Sequence, residues 1–516
     1  MNVTPVTTSK AGVTTHRRAP APALSRFLIG ALLMVTTTTP LRAGGFVPDW
    51  VRDAVFYQIF PERFANGDKA NDPSGVAAWG GIPTGRNFFG GDLQGIIDHL
   101  DYIQDLGVNA LYLNPIFEAT TNHKYNTADY KRIDPHFGDD ATFKRLLDSC
   151  HAHGIRVVID GVFNHTGIAF FAFADIRAKG ERSLYKDWYT IRSFPVGPPS
   201  KPNYECWWGH GALPKLRTEN PAVRQYLFDV TRKWTAMGVD GWRLDVPNEI
   251  PHDFWIEWRK LVKSINPECY IVGEIWDNAS AWLQGDQFDA VMNYRFRDPC
   301  LKFFAQGTAS PTAFDTALAH QRRDYPDAVN FALQNLLGSH DTERLLTMCN
   351  RNVEREKLAV LFQMTYPGAP MVYYGDEIGM EGGKDPGCRG TMIWDIKKQR
   401  ADLLNWYKKM IALRRAHPVW RHGSFETLRA NDAQRVYMFM RKDGDTRGVV
   451  VINAGSSPAR VAVPLGTVGG SGLWRSVHPV GNPVVPDQNG DHMVVMPGLS
   501  GAVYVREIAS PEEGSQ

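Results

Sequence analysis

The sequence predicts an α/β chain: a (β/α)8 TIM barrel with an inserted subdomain after strand three and a C-terminal antiparallel β-sandwich. Three observations predict it. Eight short apolar runs recur, with amphipathic stretches after several of them. A stretch rich in proline, glycine and aromatics, at about 166–220, interrupts the rhythm after the third run. From about residue 420 the pattern changes to β-runs separated by turn residues. Alternating buried strands and amphipathic helices build parallel barrels, whose active sites lie at the C-terminal ends of the strands.

The eight runs are DAVFYQIF (53–60), VNALYLNP (108–115), IRVVIDGVFNH (155–165), VDGWRLD (239–245), YIVGEI (270–275), FDAVMNY (288–294), NLLGSH (335–340) and APMVYYGDE (369–377). Amphipathic stretches at 93–107, 141–154, 221–238, 251–265 and 355–368 read as helices. Gly107, Gly154, Gly238 and Gly368 close four of them, as a helix C-cap requires. An excursion as long as 166–220 is the usual form of a functional lid or subdomain. The C-terminal runs QRVYMFMRKDG, RGVVVINAG, ARVAVPL and GAVYVREI read as strands of a sandwich. The expected limits are 47–418 for the barrel, 419–508 for the sandwich and 509–516 for a disordered tail.

Composition narrows the class. The chain has 516 residues, 43% hydrophobic and 22% charged, which is ordinary for a globular protein. Lys+Arg 57 against Asp+Glu 55 argues against nucleic acid held by bulk charge. His16, Arg17, Arg18 and Arg26 precede the apolar run FLIGALLMV, with small residues up to Ala43. These are the parts of a signal peptide over 1–43, so the mature protein is expected to be exported, periplasmic or secreted, without a membrane span. Six scattered cysteines, without a CxxC pair, name neither a zinc site nor a disulfide pairing.

Polar residues collect at the strand exits. DGVFNH brings Asp160, Asn164 and His165 after the third run. GVDGWRLDVPNEI (238–250) places Arg243 and Asp245 two positions apart, on one face of the fourth strand. The fifth ends in Glu274, and the seventh in His340 and Asp341. A lone strand-end aspartate commonly caps the next helix. Several buried carboxylates together cost stability unless a site needs them.

Two carboxylates with separated pKa values suit glycoside hydrolysis. Arg243 favours the charged form of Asp245, the expected nucleophile. Glu274, beside Ile275 and Trp276, has an apolar setting that raises its pKa and suits the general acid/base. Asp341 is the third carboxylate, expected to grip the hydroxyls of a distorted sugar. A retaining pair stands about 5–5.5 Å apart.

DGVFNH (160–165), GWRLDVPNE (241–249), GEIW (273–276) and LLGSHD (336–341) resemble the four ordered signature regions of the α-amylase family of retaining glycoside hydrolases. The resemblance covers about residues 50–505. It implies the barrel, a B domain after strand three, and Asp245, Glu274 and Asp341 as nucleophile, acid/base and transition-state stabiliser. It also implies His165, Arg243 and His340 as contacts at the cleavage subsite, and Tyr125 as the ring stacking on the sugar. His123 of NHKYNTADY joins the substrate contacts, and Asn248, Glu249 and Trp276 are expected to shape the +1 and +2 subsites.

LPKL (213–216), NHKYNTADY (122–130), VMNY (291–294) and KDPGCRGTMIW (384–394) resemble the neopullulanase, cyclomaltodextrinase and maltogenic amylase group. Pro247 stands where that group usually has Ala, and Asp277 where His is common. Some forty residues precede the barrel here, so the group's N-terminal β-domain is expected to be lacking. A dimer and a cyclodextrin preference are therefore not implied, and a monomer or weak oligomer is expected. The expected substrates are maltooligosaccharides, cyclodextrins or starch-like α-glucans, cleaved at α-1,4 and some α-1,6 bonds. The alternatives are a glucanotransferase or isomerase with the same carboxylates, and, remotely, a non-catalytic carbohydrate-binding relative.

FANGDKANDPSG (64–75) and FFGGDL (88–93) gather Asn66, Asp68, Asn71, Asp72, Gly90 and Asp92. Oxygen-only donors at such spacing suit a structural Ca2+, and an Asx-rich turn has the same composition. The group's calcium loop resembles this one. The chemistry itself needs no cofactor.

Overall fold

A computed structural model describes residues 46–469 and 473–506. The expected leader (1–43) and the tail (509–516) lie outside the described residues.

Eight parallel strands form the central sheet: β1 (Phe56–Ile59), β2 (Ala110–Leu113), β3 (Arg156–Gly161), β4 (Gly241–Leu244), β5 (Tyr270–Gly273), β6 (Ala290–Val291), β7 (Gln334–Leu336) and β8 (Ala369–Tyr373). Their order is β6-β5-β4-β3-β2-β1-β8-β7. A parallel bridge between Met292 and Gln334 joins the two edge strands and closes the barrel. Most strand residues are buried on both faces, as expected where helices cover a barrel. Gly241 has no room for a side chain, because a Cβ there would press on the Tyr270 carbonyl and Val158.

The helices follow the amphipathic stretches with one difference. Residues 93–107 form two helices, Leu93–Asp98 and Leu100–Leu106, which meet at His99. His99 Nδ1 stands 2.7 Å from the Gly95 carbonyl, and its ring lies on Trp394 with centroids 3.8 Å apart. A tertiary contact thus fixes the break, and periodicity alone could not show it.

The excursion after β3 folds back on itself. Antiparallel bridges pair Ile191 with Tyr204, Cys206 with Pro214, Tyr189 with Leu216 and His165 with Lys215. Lys215 of LPKL thereby returns beside the strand-three exit.

The C-terminal strands are β9 (Ser424–Asn431), β10 (Val436–Asp443), β11 (Thr446–Asn453), β12 (Ala459–Val463), β13 (Trp474–His478), β14 (Val480–Val484), β15 (His492–Met496) and β16 (Ser500–Arg506). Six form an antiparallel sheet, β9-β10-β11-β16-β13-β14, and β12 pairs with β15. Alternation sorts the sheet's side chains. Met438, Val449 and Val451 face a small core with Val461 and Met496, while Tyr437, Phe439, Val450 and Ile452 join the barrel core.

None of the six cysteines forms a disulfide, and five are buried. Among the described residues, no helix is long and apolar enough to cross a membrane.

Candidate active site

The barrel ladder carries the site. Asp160 of β3 pairs in register with Arg243 of β4. Just past the strand ends, the Asp245 amide donates to the Gly161 carbonyl and the Glu274 amide donates to the Leu244 carbonyl. Neighbouring strands thus fix the backbone of both carboxylates. Val246, directly after Asp245, holds a left-handed conformation (φ 36°), which is strained for a β-branched residue and turns the chain sharply out of β4.

Arg243 is fully buried and serves three acids. Its Nη1 stands 2.9 Å from both Asp160 oxygens and 3.0 Å from Asp245 Oδ1, and its Nη2 stands 2.7 Å from Glu274 Oε2. Asp160 Oδ2 also accepts from the hydroxyls of Tyr112 (2.8 Å) and Tyr125 (3.0 Å). Asp160 is therefore the fixed counter-ion of the guanidinium.

Burial pushes the Glu274 carboxyl up to about 7, helped by Asp341 and Asp160; Arg243 and a 3.2 Å hydrogen bond from Trp276 Nε1 oppose the shift. Asp245 is also pushed up, first by burial and then by Glu274, Asp160 and Asp341, against Arg243. Arg243 lowers Asp245 as expected, but burial and the neighbouring carboxylates outweigh it, and burial raises Glu274 as its apolar setting implies. One guanidinium shared by three carboxylates does not offset their burial, so Asp245 and Glu274 both hold a proton more tightly than a free carboxyl does.

The opposite wall comes from the β7 exit. Gln58 Nε2 stands 2.9 Å from His340 Nδ1, which leaves the imidazole proton on Nε2. That nitrogen meets Tyr125 Oη at 2.7 Å and Asp341 Oδ2 at 3.0 Å. Burial, with Arg389 and Arg243 nearby, keeps His340 neutral. The Tyr125 and His340 rings are nearly parallel, 5.4 Å apart. Arg389 Nη2 donates to Asp341 Oδ1 at 3.0 Å. His123 and His165 are both pushed down to about 3 by burial, so both are neutral hydrogen-bonding groups in the working range.

The remaining expected contacts line the rim. Trp276 is half-exposed and stacks on Tyr294 at 3.8 Å. Asn248 is exposed. Glu249 takes Lys215 Nζ at 3.1 Å and Trp208 Nε1 at 3.0 Å, with Asn164 Nδ2 at 3.5 Å. His165, Trp207 and Trp208 form a stacked row.

The profile of the α-amylase catalytic domain matches residues 58–400. The chain belongs to the α-amylase family. It is 53% identical to neopullulanase 2 of Thermoactinomyces vulgaris over 409 residues, which is 79% of this chain and 70% of that protein. It is 51% identical to a cyclomaltodextrinase of Geobacillus thermopakistaniensis, over 81% of this chain and 71% of the relative. Among solved structures, the cyclic α-maltosyl-(1→6)-maltose hydrolase of Arthrobacter globiformis superposes with a TM-score of 0.82 at 43% identity, over 89% of this chain and 99% of that one. The protein is an α-amylase-type glycosidase.

Several residues of this α-amylase-family site escape a reading of strand exits. Arg389 comes from the loop after β8, and Lys215 and Trp208 come from the insert. The only sequence signal for them is that they fall in the KDPGCRG, LPKL and WWG segments, and nothing in the chain order pairs them with Asp341 or Glu249.

The six candidate calcium residues do come together. Asn66 Nδ2 donates to Asp72 Oδ1 (2.7 Å), and Gly90 lies so close to both that a Cβ would overlap them. Asp92 caps the next helix through Gly95 N (2.6 Å), and accepts from Gly67 N, Asp68 N and Asn71 Nδ2. The Oδ1 atoms of Asn66 and Asn71 are buried without a hydrogen-bond partner. Two orphaned amide oxygens are donors that suit a hard, oxygen-seeking cation, although among the described residues no three carboxylates group as metal ligands.

Proposed function

We propose that the protein hydrolyses α-1,4-glucosidic bonds of maltooligosaccharides and cyclodextrins, and some α-1,6 bonds, with retention of anomeric configuration. The observation that carries this reading is the Arg243 fork, with one nitrogen on Asp245 and the other on Glu274. It holds two carboxyls from neighbouring strand ends on one guanidinium, where a nucleophile and an acid can face the same bond. The names of the similar proteins supply the substrate class.

The reactive form has Glu274 protonated and Asp245 ionised. Asp245 attacks the anomeric carbon as the C1–O bond breaks, and the Glu274 proton passes to the leaving oxygen. A water then gives a proton to Glu274 and attacks C1, releasing the Asp245 carboxylate. Asp341, steadied by Arg389, accepts from ring hydroxyls. Asn66, Asp68, Asn71, Asp72, Gly90 and Asp92 would hold a structural Ca2+ away from the reacting atoms. The leader expected at 1–43 gives the reading an exported enzyme.

The test is a product profile with pure protein on maltoheptaose, β-cyclodextrin and pullulan, with the product anomer read by NMR. Shortened α-anomeric products support the reading. Longer chains or new rings from maltoheptaose would make it a transferase. Asp245→Asn should abolish turnover and keep sugar binding; near-parental turnover would remove Asp245 as nucleophile.

A further inference from the structure

Two arginines clasp the exit of β7 and the loop after β8 from opposite sides. Arg389, in the loop, reaches the exit: its Nε donates to the His340 carbonyl at 2.8 Å and its Nη2 to Asp341 Oδ1 at 3.0 Å. Arg344, three residues after Asp341, reaches the other way. Its Nε donates to the Cys388 carbonyl at 3.0 Å, and its Nη1 donates to the Tyr374 carbonyl at 2.7 Å and to Asp376 Oδ1 at 2.9 Å. Arg344 is fully buried, and these bonds go to the loop rather than to a catalytic carboxyl. Nothing in the reaction described above uses it.

We infer that Arg344 is a positioning residue for Asp341: it sets the loop that carries Arg389, and Arg389 sets the carboxylate. The inference rests on the proposed hydrolase reading. Three observations carry it.

The first is reach. Tyr374 and Asp376 begin the loop after β8, and Cys388 directly precedes Arg389. The Arg344 amide also donates to the Gly382 carbonyl, at 3.0 Å. One residue thus holds the loop at its start, its middle and its end. A long loop leaves its far end mobile unless a scaffold fixes it. The rigid guanidinium fork fixes Tyr374 and Cys388 against each other.

The second is how directly the loop bears on the exit. Cys388 Sγ stands 3.1 Å from the His340 carbonyl, the same oxygen that Arg389 Nε takes. Asp376 lies against the same exit, because a Cβ at Gly338 would stand 2.7 Å from Asp376 Oδ2. Both ends of the loop therefore touch the segment from Gly338 to Asp341. A shift at Cys388 moves Arg389, and with it the bond to Asp341.

The third is the shape of the space around Arg344. Its guanidinium lies over the rings of Tyr373 and Tyr374, 4.5 and 4.9 Å from their centroids. Gly375 (φ 85°) leaves room beside it, and a Cβ there would stand 3.3 Å from Arg344 Nη1. A planar fork fills such a slot and bonds three oxygens at once. A lysine ammonium keeps the charge beside Asp376 and cannot span Tyr374 and Cys388 together.

The experiment is a double-mutant cycle. kcat and KM on maltoheptaose are measured per folded molecule in the parent, Arg344→Lys, Arg389→Ala and the double variant. Arg344→Lys should lower kcat by about tenfold with KM within about twofold, as loss of a grip made mainly in the transition state does. In the Arg389→Ala background the same substitution should cost less than about threefold, because the path to Asp341 is already cut. A parental kcat in Arg344→Lys overturns the inference. So does a full tenfold loss in the Arg389→Ala background, which a residue that merely holds the fold would give. Should Arg344→Lys fail to fold, Asp376→Asn weakens the same clasp and enters the cycle with the same two outcomes. Calorimetric titration with the transition-state mimic acarbose reads the grip of Asp341 without turnover. A weakening of about tenfold in Arg344→Lys that vanishes in the Arg389→Ala background supports the inference. Equal affinities of parent and Arg344→Lys, or a loss that persists without Arg389, overturn it. If the parent cleaves no α-glucan, the hydrolase reading falls and this titration still decides the role of Arg344. A parent that neither cleaves α-glucan nor binds acarbose overturns both.

Discussion

Arg243 Nη2 stands 2.7 Å from Glu274 Oε2, so the candidate acid of this site rests against a buried guanidinium. A positive charge at that distance favours the carboxylate, yet the balance goes the other way. Burial outweighs it because Arg243 also serves Asp160 and Asp245, and because Asp341 adds a further negative charge. The acid is thus tuned by competition for one cation.

That balance predicts the alkaline limb of activity. Glu274 must be protonated to act as acid, and its carboxyl is pushed from 4.5 to about 7. The acid is fully supplied well below that value and is lost as pH rises through it. The kcat/KM profile should therefore fall through about 7. Trp276→Phe removes a hydrogen bond that lowers this pKa, so the limb should move to higher pH. A limb that stays in place in Trp276→Phe would show that another group sets it.

The same shift has a sign for stability. Between 4.5 and about 7 the folded state keeps the Glu274 proton that the unfolded chain would release. Stability should fall as pH rises across that window, and Glu274→Gln should flatten the slope. Denaturant titrations at several pH values in both proteins check it.

Arg243→Lys keeps a charge but not the fork. One ammonium cannot hold the Asp160, Asp245 and Glu274 oxygens together, and kcat/KM should drop by roughly 10²–10³ with little change in KM. A variant within a few-fold of the parent would mean that charge alone suffices.

What the sequence made legible follows from how local each feature is. The barrel strands stand out because burial on both faces makes them continuous apolar runs, such as VVID at β3. Asp245, Glu274 and Asp341 stand out because each sits one residue or a few past such a run. The two-residue β6 is held by its neighbours, and its run looked as strong as the others. Lys215 reaches Glu249 only because the insert doubles back through the His165–Lys215 bridge. The upward shift of Asp245 comes first from its burial and then from Glu274, Asp160 and Asp341, which strands far apart in the chain bring to it.

The loop around Asp72 predicts a dependence on Ca2+. Filling the unpartnered oxygens of Asn66 and Asn71 stabilises only the folded chain, so Ca2+ should raise the thermal midpoint and EDTA lower it, by a few degrees. Asp72→Ala should abolish the response to added Ca2+. A midpoint indifferent to both reagents in the parent would leave the loop as a hydrogen-bonded turn.

Gly448 tests how the C-terminal sheet is seated. It lies in β11, and a Cβ there would overlap the ring of Trp420, which is itself fully buried. Neither the strand nor the indole has room to give, because Val449 and Val450 on either side of the sheet are buried as well. Gly448→Ala should therefore destabilise the protein by about 1–3 kcal/mol, the usual cost of overfilling a packed core. The atoms nearest a Cβ at Gly448 all belong to Trp420, which is no part of the site at the barrel mouth. Turnover per folded molecule should stay at the parental value while the unfolding midpoint drops. An equal fall in turnover would mean that the seating of the sheet reaches the catalytic strands through the shared core.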